Sequence, residues 1–173
     1  MKKTLKLAIA AVLCAVAVVG SMFSFQIFGS KCAPVQHMVN VFCAVLLGPG
    51  YAVGAAFVAS LIRNLFQLGS LMAFPGSMIG ALLAGFAYKL TKNRSVNIVL
   101  AIVAEVFGTA VLGGLCAYPV AIFLMGIEAG SVAFYGYIIP FLVSTAVGSA
   151  ISGVIIGALD RAGVLAKVQK TLE

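Results

Sequence analysis

The chain has 173 residues, of which 63% are hydrophobic and 9% charged, against about 45–50% and about 25% in an ordinary soluble domain. With a mean hydropathy of +1.19, it has too few polar side chains to cover a water-exposed surface. The 19 Gly and 5 Pro are scattered among long apolar runs, which excludes a disordered chain. The net charge of +7 does not point to nucleic acid, because nine of the eleven basic residues fall in three clusters: Lys2, Lys3 and Lys6; Lys89, Lys92 and Arg94; Arg161, Lys167 and Lys170. Clusters separated by even numbers of apolar crossings are the positive-inside pattern of cytoplasmic flanks attracted to anionic lipid. The apolar runs are continuous and do not alternate, which argues against a β-barrel. The expected fold is an all-α integral membrane protein of the cell (plasma) membrane. It is one membrane-embedded domain over residues 1–173, a six-transmembrane-helix bundle with cytoplasmic N- and C-termini.

In chain order, the first span is expected from Leu5 to about Phe25. Its basic start resembles a secretory signal peptide, but the run is long for one and no clear small-x-small site follows, so it is read as a retained helix. Parity does not decide this, since cleavage would leave five spans and the same cytoplasmic tail. A loop over Gly29–Pro34 carries Lys31. The second helix, Val35–Leu47, is short for a span at about 20 Å and stops at Gly48-Pro49-Gly50. The third covers Tyr51–Leu68, a loop takes Gly69–Ala73, and the fourth covers Phe74–Leu90. The fifth runs from Val96 to Leu124, with Pro119 expected to kink or end it. Gly126–Ser131 form a loop. The sixth spans Ala133–Leu159, with a bend expected at Pro140. No convincing internal repeat is present, which disfavours an inverted-repeat transporter.

The polar inventory excludes several chemistries. There is no GxxxxGK[ST] stretch for ATP and no G-x-S-x-G elbow. Four acidic residues and one histidine are too few for a metal-dependent transferase, so no enzyme activity, cofactor or metal is expected. Cys14, Cys32, Cys43 and Cys116 show no metal-ligand spacing; only Cys32 falls in a stretch expected to be exposed.

What remains is a set of polar residues inside apolar helices, where each is costly and therefore a functional candidate. Gln36, His37 and Asn40 open the second helix, Arg63, Asn64 and Gln67 lie in the outer half of the third, and Phe74 and Ser77 begin the fourth. Tyr118 ends the fifth, and Tyr135 and Tyr137 open the sixth, where an interfacial aromatic belt is the ordinary reading. All fall toward the outer side. Arg63 and Glu105 are isolated charges, about 18 Å and about 14 Å from the inner ends of their helices on the 1.5 Å rise. These depths match an ion pair. A structural tie and a binding-site charge predict the same two residues; the reading taken is a structural ion pair of Arg63 and Glu105 joining the third and fifth helices. The pairs Gly50/Gly54, Gly76/Gly80 and Gly153/Gly157 are read as close packing within the monomer. Ala8, Ala11 and Ala15 form a flat stripe on the first helix, facing either a neighbouring helix or a partner.

Six helices, no ATP site and Ala11-x-x-x-Ala15 in the first helix resemble a substrate-binding (S) component of an energy-coupling factor (ECF) transporter. The segment CAPVQHMVNVFCAVLLGPGYAVGAAFVASLIRN, continuing to SLMAFPGSMIGALLAGFAYKL, resembles the ThiW family more specifically, and the resemblance covers essentially the whole chain. It implies a binding subunit for a thiamine precursor, the thiazole moiety (hydroxyethylthiazole). Its partners would be a transmembrane coupling protein and a pair of ABC ATPases. It also implies that Ala11 and Ala15 meet the coupling protein, and that the pocket lies near the outer surface under the loop between the first two helices. A small heteroaromatic ligand needs an apolar wall with a few convergent hydrogen bonds. Phe74 and Tyr118 are expected to offer ring faces, and Gln36, His37, Asn40 and Asn64 the polar contacts. The alternatives are an S component for another small vitamin or precursor (thiamine, the pyrimidine moiety), a stand-alone secondary carrier or channel with Glu105 as its ion-coupling carboxylate, and a structural or assembly subunit with no ligand, which would leave the clustered polar residues unexplained.

Overall fold

The structure, a computed structural model, describes residues 2–28 and 30–172. Helix α1, Lys2–Gly20, begins in the first basic cluster and is continued by a short 3-10 turn, Ser21–Phe23. It buries Ala10, Cys14 and Ala17, at i, i+4 and i+7, and leaves Leu7, Val12, Val16 and Val19 exposed. That is the single-stripe contact of a helix packed at the edge of a bundle in lipid. The chain then turns through a two-stranded antiparallel hairpin, β1 (Phe25–Ile27) and β2 (Ser30–Cys32). The expected loop is thus ordered on its C-terminal side; its first residue, Gly29, lies outside the described residues.

Helix α2, Pro34–Leu47, starts with proline at its first position, where the missing N–H costs nothing. Gly48, at φ 90°, makes the turn into α3, Pro49–Leu65. Helix α4, Ala73–Ala87, follows. Its small residues let neighbouring backbones come close. A Cβ added at Gly108 would sit 2.9 Å from the Gly80 Cα, and one at Gly113 would collide with the Gly76 Cα. Where lipid replaces water there is little hydrophobic drive between helices, so such backbone approach carries the association. The Gly76/Gly80 pair therefore packs within the chain as expected. Gly50, Gly54 and Gly157 do not: a Cβ at any of them would meet nothing within 4 Å.

Helix α5, Arg94–Phe107, is capped by Asn93, whose side chain accepts from the Val96 N–H. It continues through a π-helical segment, Gly108–Gly113, into α6, Gly114–Phe123. Pro119 lies inside α6 and does not end it. Helix α7, Ile138–Arg161, starts five residues later than expected, and Pro140 falls in its first turn, where the missing N–H of proline costs no intrahelical hydrogen bond. The tail forms a further helix, α8, Val164–Leu172. It buries Leu165 and Leu172 and donates from Gln169 Nε2 to the Val45 carbonyl and the Tyr88 hydroxyl.

Among the described residues, three helical runs are long and apolar enough to cross a membrane: Lys2–Phe23, Arg94–Phe123 and Ile138–Arg161. Helices α2 and α4 are shorter apolar helices, and their central residues, such as Val41, Cys43, Ala81 and Ala84, are almost wholly enclosed by neighbours. Lys6, Lys89 and Gln169 border one surface cavity, and Arg94 pairs with Asp160 at 3.2 Å. The three basic clusters therefore gather at one end of the bundle.

Two expectations about cysteine change. Cys32 is 1% exposed, with its thiol directed at the Pro140 carbonyl, because β2 is pressed against the start of α7. Cys116 is the exposed thiol.

Candidate ligand site

At the other end of the bundle, the start of α2, the end of α3, the starts of α4 and α7, and β2 converge on a cavity. Its lining includes Gln36, His37, Arg63, Thr109 and Phe141, with several serines. The helix directions explain the placement. Helices α2 and α4 begin here and end beside the lysines, while α3 runs the opposite way and brings Arg63 up in its last turn.

The best-connected group is Glu105, 0% exposed. Its Oε1 lies 3.1 Å from His37 Nδ1 and accepts from Asn40 Nδ2 at 3.0 Å and Thr109 Oγ1 at 3.1 Å. A carboxylate only accepts, so His37 Nδ1 is the donor, and in the neutral imidazole Nε2 is then the acceptor. Nε2 makes no hydrogen bond to the protein among the described residues, while the His37 ring lines the cavity. Asn40 also donates to the Ser77 carbonyl and Thr109 to the Gly76 carbonyl. The π segment helps here, because a bulge of this kind re-aims side chains within a helix and Thr109 belongs to it. Glu105 Oε2 has no hydrogen-bond partner among the described residues and faces Gly80, whose added Cβ would lie 2.7 Å away.

The expected Arg63–Glu105 ion pair does not form. Among the described residues the contacts between a carboxylate and a basic side chain are His37–Glu105 and Arg94–Asp160. Depth along two helices is one coordinate, and contact also requires the two faces to point at each other. Glu105 points to α2 and α4. Arg63 is 2% exposed, reaches the Leu68 carbonyl at 3.5 Å, and leaves its Nε unpartnered.

The other expected site residues divide. Gln36 lines the cavity and donates to Ser60 Oγ at 2.9 Å, which lies 3.1 Å from Ser77 Oγ. Asn40 sits behind the lining, holding Glu105. Asn64 is turned to the backbone, donating to the Ser60 and Ser70 carbonyls at 2.8 and 3.1 Å. Phe74 packs on Phe57, with ring centroids 5.7 Å apart. Tyr118 joins a cluster with Met72, Ala117, Ala121, Tyr137 and Phe141. The aromatic face of the cavity is Phe141 instead. Sequence reasoning missed Ser30, Thr109, Phe141 and Ser144. Thr109 was legible at i+4 from Glu105, whereas nothing in the local pattern marks Phe141.

The hairpin covers the cavity. Lys31 Nζ donates to the Gln67 carbonyl at 2.7 Å, and the Ala33 N–H donates to Ser144 Oγ at 2.9 Å. Gln67 adopts φ 58°, which turns the α3–α4 connection under the hairpin. Beneath it the cavity measures about 30 Å³, room for about two waters.

On α1, the stripe Ala8, Ala11 and Ala15 is exposed, so it does not pack inside the monomer. Ala11 also borders an apolar groove of about 500 Å³ between α1 and α3, floored by Gly50 and Gly54.

A family model described as thiamine-precursor transporter protein (ThiW) matches residues 7–162. No curated protein matches the chain. Among solved structures the chain is similar to ThiT from a Listeria monocytogenes serovar, with a TM-score of 0.58, 19% sequence identity and 99% of each chain covered. At that identity the likeness is one of fold.

Proposed function

The chain belongs to the ThiW family of thiamine-precursor transporters. From that premise we propose that it is the substrate-binding membrane subunit of an energy-coupling factor transporter, importing the thiazole moiety of thiamine. The observation that carries this reading is the covered polar cavity in an otherwise apolar bundle, at the end away from the basic clusters. With the lysines on the cytoplasmic side, the cavity opens outward and both ends of the chain lie inside. Six crossings of the plasma membrane follow if α2, α3 and α4 traverse it within the shelter of their neighbours.

The residues assign themselves to parts of such a ligand. Phe141 offers a ring face. His37 Nε2, held as an acceptor by the Glu105 contact, takes the proton of a ligand hydroxyl, and Gln36 supplies an amide at the same wall. Asn40 acts through Glu105 as a positioning residue. Asn64 braces the α3–α4 turn, and Phe74 and Tyr118 support the walls from outside. Ligand pockets run to about 300–1,000 Å³, ten times this cavity or more, so binding requires the hairpin to lift from Gln67 and Ser144. A subunit with no nucleotide motif takes its energy from elsewhere. Ala11 and Ala15, exposed and flat on α1, fit close approach by a helix of the transmembrane coupling protein that links it to a pair of ABC ATPases.

The test is uptake of labelled hydroxyethylthiazole by cells carrying this chain with and without the coupling protein and ATPases, alongside calorimetry of the purified subunit. Binding by the subunit alone, with concentrative uptake only when the module is present, is the expected result. Uptake driven by an ion gradient in proteoliposomes holding this chain alone would refute it and favour a secondary carrier.

A further inference from the structure

The charges around the cavity are unbalanced in one direction. Arg63 is 2% exposed and lines the cavity, yet among the described residues its guanidinium makes one long contact to a carbonyl and its Nε has no partner. Lys31 lines the same cavity at its mouth. The chain has four acidic residues. Glu105 is turned to His37, Asn40 and Thr109 and does not line the cavity, and Asp160 pairs with Arg94 at the far end. Glu128 is exposed in the connection before α7 and does not line the cavity, and Glu173 lies outside the described residues. A cation taken out of water without a counter-charge is costly, and in lipid-embedded proteins such groups mark substrate sites. A second unpaired group stands in the same wall: Ser30 Oγ, buried and without a hydrogen-bond partner among the described residues. A planar guanidinium and a hydroxyl donor converging on one cavity suit an oxyanion, which accepts several charge-assisted hydrogen bonds at once.

We propose that the ligand carries an oxyanion, a phosphate monoester or a carboxylate on the precursor ring, with Arg63 as its counter-ion and Ser30 Oγ as a further donor. The inference deepens the reading of this cavity as the ligand site. It assigns the two ends of the cavity different tasks. Lys31 and Arg63 draw in and neutralise the anion beneath the hairpin, while His37 and Phe141 take the ring and its neutral substituents. Lys31 also couples the two events, because the ammonium that closes the hairpin onto Gln67 is the one an arriving anion attracts.

The experiment is calorimetry of the purified full chain in detergent against five probes. These are hydroxyethylthiazole, its phosphate monoester, a thiazole carboxylate, hydroxymethylpyrimidine and its monophosphate. The expected result is that an oxyanion form binds about tenfold or more tighter than its neutral counterpart, the size of one charge-assisted contact. Phosphate ester against carboxylate then identifies which oxyanion is carried. Arg63→Gln should erase the preference, Arg63→Lys should keep part of it, and the ligand-free melting temperature of Arg63→Gln should not fall, since the buried charge loses only one long contact to the Leu68 carbonyl. A lowered ligand-free melting temperature with the preference intact would make Arg63 structural and overturn the proposal. Equal or tighter binding of the neutral alcohol would overturn it too, while leaving the transport reading in place. If only the pyrimidine monophosphate binds, and through Arg63, the oxyanion inference stands and the thiazole assignment falls.

Discussion

Replacing Glu105 with Ala tests which partner the buried carboxylate has. Three donors lose an acceptor, but Asn40 retains the Ser77 carbonyl and Thr109 the Gly76 carbonyl. Only His37 Nδ1 is stranded. A stranded buried donor costs about 1–3 kcal/mol, and partial collapse of the vacated space adds to it, so a total of about 3 kcal/mol is expected. For a chain of this length each kcal/mol moves the melting temperature by about 2–4 °C, which puts the shift at about 6–12 °C. The informative quantity is the coupling. In a His37→Ala background the donor is already gone, so Glu105→Ala should cost about 2 kcal/mol less, in the range of a hydrogen bond to a charged group. Combined with Arg63→Ala, the same substitution should be additive within about 0.5 kcal/mol, as for residues that share no contact. Thermal melts of wild type, the three single variants and the two double variants in one detergent give both cycles. Additive His37/Glu105 shifts, or coupled Arg63/Glu105 shifts, would refute the assignment of the pair.

Gly80→Ala should lower stability by about 1–3 kcal/mol, because its Cβ would strike Thr109 and Glu105; Gly54→Ala, which meets nothing, should be neutral or stabilising by up to about 1 kcal/mol, and melts of both check it. Ala11→Phe or Ala15→Phe should abolish co-purification with the coupling protein while calorimetric affinity for ligand stays unchanged, since both residues are exposed on α1. Burial pushes the Cys32 thiol up from its ordinary value, so less thiolate is present at a given pH. With the other three cysteines replaced by Ser, maleimide labelling at Cys32 should be slow at neutral pH and rise with pH beyond the range of a free thiol, and Lys31→Ala, which frees the hairpin, should speed it.

The composition alone determined that lipid is the solvent, because 9% charged residues cannot clothe a water-soluble surface. The three basic clusters, gathered at one end of the bundle, were legible for the same reason: charge is excluded from the apolar interior and accumulates where chains emerge. The Gly48-Pro49-Gly50 turn and the close packing at Gly76 and Gly80 followed from local sterics. Sequence spacing also put Gln36, His37 and Arg63 at one end of the bundle. It could not say which side chains meet, since contact between α2, α5 and α7 depends on the rotation of each helix about its axis, and a change of one residue turns a face by about 100°. That rotation gave Glu105 to His37 instead of Arg63. It turned Asn64 toward the backbone and made Phe141, not Phe74 or Tyr118, the aromatic wall. The hairpin, the π segment and α8 were equally out of reach, being short elements whose order comes from what they rest on: β2 on α7, Thr109 on Gly76 and Glu105, and Gln169 on Val45 and Tyr88.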